Sequence, residues 1–484
     1  MKKDIDKYNS LVGSVYIKDP EFFMYSPAFC RVEAQTFLFD FWDDGTYPKI
    51  NFLKNYLIFL CRIIRDLLLS KIFKVKKELN GKDIFVFSYF DFRNIDNGKL
   101  REEFFRDILE YNNKVACFYK FITPGFLRRG YKYSKLLKSA EKSFNAYSEL
   151  SFVDVKMMIR ALLQTYEHYK KFKNSTISTG DKKLDNLLIM FHQNEIASGI
   201  VYQGYLQKEI YQKLLKEKPK KILFVWENQP WHRILEYVKK DISPKTKSIG
   251  FQHTGFSKRL LQHYPSNEEK NLSTCPDVII CNGVINKEEL EVNSNLNSDI
   301  IVGSALRQSH LKKVFLSKLK DIIPSNFNSV AFAFSWNQSD YNEIIDQLME
   351  LPSNFTIYLK FHPNYPCWLN KSDLPERFIN STETWEQIGK KCPLVVVSDN
   401  SLMFEGFFLG MHTAIYYGAD ARKFGKRDFS SPIAQLTAKD LKDLNSEKLI
   451  NYINESSKEV VKSEYLFKYF AFNSKEQQMK QFLE

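Results

Sequence analysis

The feature that most restricts this chain is an alternation that occurs twice. Short, continuous apolar runs take turns with segments of helical periodicity. In the first series "DIFVFSYFDFR" (83–93) and "VACFYKF" (115–121) flank a helical pattern over 100–114. After a largely helical region from 150 to 219 come "KILFVWEN" (221–228), "KSIGFQHTG" (247–255), "PDVIICNG" (276–283) and "DIIVGSAL" (299–306), with helices expected over 231–241 and 287–292. A connector with a helix, 307–328, leads to the second series: "SVAFAFSW" (329–336), "FTIYLKF" (355–361), "PLVVVSDN" (393–400) and "HTAIYYG" (412–418), with helices over 340–351, 382–392 and 401–410. An apolar run without alternation is a strand buried on both faces. Strands of that kind belong to parallel sheets covered by crossover helices. The prediction is an α/β protein of two βα-repeating domains, 81–310 and 311–484, with helices ending the second. Residues 1–80 form an N-terminal extension, irregular and then helical.

Composition excludes several classes. Apolar content of 44% and charged content of 26% belong to a folded chain, not a disordered one. The net charge of +13 suits an anionic partner such as a nucleotide, a phosphorylated lipid or a membrane surface, and a lysine-rich solubilising surface accounts for it equally well. No compact recognition motif accompanies it, which argues against nucleic acid. The seven cysteines include no CxxC pair, so a disulfide framework or zinc ribbon is not expected and a reducing cytoplasm is favoured. The opening "MKKDIDKYNSLVG" lacks the apolar core of a signal peptide. The oily stretch 52–73 is interrupted by Lys54, Arg62, Arg65, Asp66 and Lys71. It reads as an amphipathic helix, packed in the protein or lying on a membrane surface, rather than as a span. The basic segment 127–142 is a solvated helix face or a contact for anionic headgroups.

Ligands of open parallel sheets bind beyond the carboxyl ends of the strands, so the strand ends select the candidate residues. In the second series these are Ser335 and Asn337; Lys360, His362 and Pro363; and Ser398, Asn400, Ser401 and Glu405. The third group runs from a strand straight into a helix, where free backbone N–H groups and hydroxyls suit a phosphate. Lys360 and His362 add positive charge or hydrogen bonds. An ordinary helix cap at Ser398–Ser401 and a strand-ending turn at His362–Pro363 are the plainer readings. In the first series "VWENQPWHR" places Glu227 among amides and aromatic rings, and the next strand ends at His253. Such a carboxylate suits a sugar site as general base or nucleophile, or serves as a structural acceptor. Asp91 ends the first strand, and Asp43 and Asp44 precede it in a DDG triplet.

Two Rossmann-like halves with "KFHP" followed by "VVSDNSLMFEG" resemble GT-B glycosyltransferases that use CMP-activated 2-keto sugar acids: bacterial sialyltransferases, β-Kdo transferases, and transferases of pseudaminic or legionaminic acid. "WENQPWHR" with "GFQHTGFS" resembles a group of bacterial surface-carbohydrate biosynthesis proteins. The resemblance implies two domains facing a central cleft. It implies that His362–Pro363 meets the CMP donor and that Ser398 and Ser401 hold its phosphate. No metal or separate cofactor is implied, the CMP-sugar being a co-substrate. A glycan or lipid-linked glycan acceptor is expected near Asp91, Glu227 and His253, in a cytoplasmic setting with peripheral contact to the inner face of the cytoplasmic membrane. The acidic motif of the sialyltransferases is matched only by Asp43–Asp44–Gly45, too early in the chain, so Glu227 is the preferred carboxylate. HP followed by a Ser-rich strand end also resembles the CDP-glycerol phosphotransferases of teichoic acid. A non-catalytic nucleotide-binding or scaffold protein of envelope assembly is the remaining alternative.

Overall fold

The computed structural model describes residues 51–74, 79, 81–90, 94–96, 99–105, 114–121, 133–137, 145–173, 179–253, 261–265, 267, 269, 274–309, 311, 328–334, 341–361, 374–392, 394–397, 402–409, 411–417, 435–437, 451 and 467–483. The chain divides into two compact units. Unit 1 is Met1–Arg307 with Asn473–Glu484, and unit 2 is Gln308–Phe472.

In unit 1, helix α1 (Phe52–Ile72) precedes strand β1 (Ile84–Phe90). A two-stranded antiparallel ribbon follows, β2 (Ile95–Asp96) with β3 (Lys99–Leu100), so the chain at residue 100 is strand where a helix was expected. Then come β4 (Val115–Phe121), β5 (Asn145–Ser148) and helices α2 (Val155–Lys173), α3 (Lys182–Ala197) and α4 (Ile200–Leu215). The series β6 (Lys221–Val225), α5 (Pro230–Ile242), β7 (Lys247–Phe251), β8 (Val278–Cys281), α6 (Val284–Asn293) and β9 (Asp299–Val302) completes the sheet. Its order is β5-β4-β1-β6-β7-β8-β9, parallel throughout.

Every residue of β1 is buried. Phe85 and Phe87 enter one layer of core while Ile84, Val86 and Phe90 enter the other, as the two-residue period of a strand requires. The apolar run is therefore explained by two covered faces.

Unit 2 repeats the plan with β10 (Ser329–Ala333), α7 (Tyr341–Met349), β11 (Thr356–Lys360), β12 (Phe378–Asn380), α8 (Trp385–Gly389), β13 (Leu394–Val397), α9 (Leu402–Phe408), β14 (His412–Tyr417) and β15 (Gln435–Thr437). The order is β12-β11-β10-β13-β14-β15, again all parallel. Both sheets thus start in the middle, step outward one way and then the other. This is the order of Rossmann-like domains, and its switch points lie between β1 and β6 and between β10 and β13.

Helix α1 lies over the joint between α3 and α4. Its Arg62 donates to the Ser198 carbonyl at 2.9 Å, and Asn55 bonds Asn194. Gly199, at φ +75°, starts α4, and a Cβ there would collide with the Phe59 ring. Only glycine satisfies both the backbone and the approach of α1. The outer face of α1 exposes Leu53, Tyr56, Leu57, Leu60, Ile64 and Leu68. No helix among the described residues is long and apolar enough to cross a membrane. The last helix, α10 (Lys475–Phe482), belongs to unit 1 and not to the domain that precedes it in sequence. Gln481 donates to the Val302 carbonyl at 3.1 Å, Gln478 to Ser304 Oγ at 2.9 Å, and the buried Phe482 packs edge-on against Phe251.

Candidate active site

The site grows from the turn between β6 and α5. The strand ends at Val225, Trp226 is buried, and the chain reverses through Asn228 at φ +50° before α5 begins at Pro230. A left-handed residue is tolerated best as glycine or asparagine. Here the asparagine side chain is anchored at both ends. Its Nδ2 donates to the Gln262 carbonyl at 2.6 Å, and its Oδ1 accepts from Arg233 Nε at 3.3 Å. Arg233 in turn pairs with Glu269 at 2.7 Å, both side chains fully buried. This clamp fixes the residue just before it, Glu227.

Glu227 keeps 26% of its side chain exposed, and its two oxygens have different partners. Tyr89, near the end of β1, donates to Oε2 at 3.0 Å. His253, two residues past β7, places Nε2 3.2 Å from Oε1. Glu227 and His253, expected near each other at neighbouring strand ends, are in direct contact. Because β1 and β6 border the switch point, the carboxylate stands at the crevice where such sheets bind ligands.

Around this pair is an aromatic and cationic wall. Trp231 donates its indole N–H to Tyr89 Oη at 3.0 Å, and Lys120 Nζ lies 4.9 Å from the Trp231 ring centroid. Lys120 is the register partner of Tyr89 across β1 and β4, and its ammonium also donates to Gln207 at 2.7 Å. Phe104 meets the His253 ring edge-on at 5.0 Å. Behind them, burial holds the His232 imidazole well below its usual range and the Tyr89 phenol well above its own. Glu102, buried close by, accepts from Ser88 at 2.5 Å and from the Phe105 amide, and burial pushes its carboxyl up to about 7.

Other expected residues fall elsewhere. Lys360 ends β11; its ammonium donates to the Glu383 carbonyl and sits 5.3 Å from the Trp385 ring centroid, and burial lowers its pKa. Glu405, on α9, accepts from Gln308 at 3.1 Å. Asp91, Ser335, Asn337, His362, Pro363, Ser398, Asn400 and Ser401 lie outside the described residues, as do Asp43 and Asp44. Tyr89, Lys120 and His232 were not anticipated. For Tyr89 and Lys120 the available signal is a polar side chain at the penultimate position of an apolar strand, as in "SYF" and "YKF"; His232, in the first turn of α5, carries no such signal.

A carboxylate held by a phenol and an imidazole, partly open to solvent beside an indole, has the equipment to take a proton from a sugar hydroxyl or to attack an anomeric carbon. Trp231 supplies an apolar wall of the kind a sugar ring stacks on.

No family model matches the sequence, and no curated protein sequence matches it. Among solved structures, the wall teichoic acid polymerase TagF aligns with 90% of this chain and 97% of its own at 11% identity, with a TM-score of 0.39. The UDP-GlcNAc 2-epimerase of Methanocaldococcus jannaschii, in complex with UDP-GlcNAc and UDP, aligns with 79% of this chain and 99% of its own at 11% identity and a TM-score of 0.42. The UDP-GlcNAc 2-epimerase of Neisseria meningitidis bound to UDP-GlcNAc covers 80% and 93% at 12% identity and a TM-score of 0.41.

Proposed function

We propose that the chain is a glycosyltransferase of GT-B architecture. It moves a 2-keto sugar acid, of the Kdo, sialic, pseudaminic or legionaminic type, from its CMP donor to a bacterial surface glycan. The observation that carries this reading is the Glu227–His253 pair at the switch point of unit 1, beside Trp231. In it Glu227 acts on the acceptor hydroxyl as base or on the anomeric carbon as nucleophile, His253 orients the carboxylate, and Asp91 borders the acceptor. Lys120 adds positive charge beside an acidic sugar. Unit 2 takes the CMP moiety: Lys360, His362 and Pro363 meet the cytidylate, Ser398, Asn400 and Ser401 its phosphate, with Ser335, Asn337 and Glu405 around them. Loss of CMP is assisted by the ammonium, imidazole, amide and hydroxyl donors among these residues and needs no metal.

The outer face of α1 favours a setting at the inner surface of an anionic membrane. Its exposed side chains are apolar apart from Cys61 and two lysines, Lys54 and Lys71, an arrangement suited to the headgroup boundary and to a lipid-linked acceptor.

Calorimetric binding of CMP, CDP, UDP and GDP, followed by transfer assays with CMP-sugar acids and CDP-glycerol, tests the function. CMP is expected to bind most tightly, and Glu227→Gln to abolish transfer. Preference for UDP or GDP overturns the reading. Turnover of CDP-glycerol replaces it with polyol-phosphate transfer, and nucleotide binding with full activity in E227Q removes Glu227 from catalysis.

A further inference from the structure

We infer that Tyr89 is a positioning residue whose single phenolic hydrogen is committed to Glu227, because His232 and Trp231 occupy every other valence of its oxygen. The inference rests on the reading of Glu227 as the reacting carboxylate.

The argument begins at the first turn of α5. The backbone N–H of Gln229 donates to His232 Nδ1 at 3.2 Å. A ring nitrogen that accepts carries no proton, so in the neutral imidazole the hydrogen sits on Nε2. The ring is neutral: it is buried, stacked on Phe224 at 5.1 Å, and held well below the usual histidine range by that burial and by Lys120. Its Nε2 lies 3.3 Å from Tyr89 Oη and therefore donates to it. The indole of Trp231 is a donor only, and it points at the same oxygen from 3.0 Å. Two donors fill the acceptor capacity of the phenol oxygen. Among the described residues its own hydrogen has one acceptor in reach, Glu227 Oε2 at 3.0 Å.

Tautomer, indole and phenol thus form a one-way chain ending on the carboxylate. A tyrosine with free acceptor capacity could rotate its hydroxyl toward water or substrate, whereas this one is fixed. The bond holds Oε2 and leaves Oε1 to His253, so the carboxylate plane is set before any substrate arrives. It also favours the ionised form that a base or nucleophile requires.

Two measurements test this without a substrate. In wild-type protein with 15N-labelled histidine, the His232 signal, assigned by its absence in His232→Asn, is expected to show the tautomer protonated on Nε2. The opposite tautomer overturns the inference. In protein with 13C-labelled glutamate carboxyls, the Glu227 signal, assigned by E227Q, is expected to titrate about one pH unit higher in Tyr89→Phe than in wild type. An unchanged midpoint overturns the inference, and if Y89F does not fold the tautomer decides. Failure of the functional reading is distinguishable: an active E227Q removes the catalytic role while both spectra stand.

Discussion

Arg233 and Glu269 offer the sharpest quantitative test of how the active-site turn is built. Their charged atoms are 2.7 Å apart and neither side chain is exposed. At an effective dielectric near 20, two unit charges at that distance attract by about 6 kcal/mol. Removing both from water costs several kcal/mol per ion, so the intact pair contributes little net stability. Replacing Arg233 with methionine keeps the volume but leaves the Glu269 carboxylate in the core without the guanidinium. It also withdraws the bond from Arg233 to Asn228 that braces the left-handed turn. The expected cost is about 3–5 kcal/mol. Glu269→Leu should cost a similar amount, and the double variant R233M/E269L distinctly less than the sum. Urea unfolding followed by tryptophan fluorescence measures all four proteins. Single variants costing less than about 1 kcal/mol, or costs that simply add, would refute the idea that a desolvated ion pair holds this turn.

The same physics gives two more expected outcomes. Glu102 is protonated in the folded chain up to about 7, against the ordinary glutamate value of 4.5. The raised folded value means that its contribution is fully present below 4.5 and is lost as pH rises through 7. Glu102→Gln should therefore flatten the pH dependence of stability and be the more stable protein at pH 8, by up to about 3 kcal/mol; equal urea midpoints at that pH would contradict the burial argument. In liposome flotation the chain should rise with anionic vesicles and not with neutral ones, and Leu57→Glu with Ile64→Glu should abolish it; an unchanged profile would take α1 out of the membrane contact.

Much of this architecture was legible because β1, β6, β8 and β13 are short apolar runs between helical patterns, and burial on two faces leaves no other solution. The strands "NAYS", "FIN" and "QLT" are three or four residues long, and each sits at an edge of its sheet. An edge strand needs little apolar surface, so it leaves little signal. The neighbourhood of Glu227 and His253 could be guessed from two adjacent strand ends. The support beneath them could not, since Tyr89 reads as one more core aromatic, and nothing local says that His232 faces it across 143 positions of sequence. Glu269 lies 36 residues beyond Arg233, past a segment without periodicity, and only the fold pairs them.

The return of the chain at Asn473 has a consequence in time. A ribosome releases nearly all of unit 1 first, then all of unit 2, and only afterwards the helix that carries Phe482 into the first core. Until then the groove beside Phe251 and the carbonyl of Val302 waits for its occupant. The nascent first unit is therefore a partly built body that must be kept from aggregating while about 165 residues of another domain are made. The second unit is in effect an insertion in the first, and the first core is complete only when the segment after that insertion has been made.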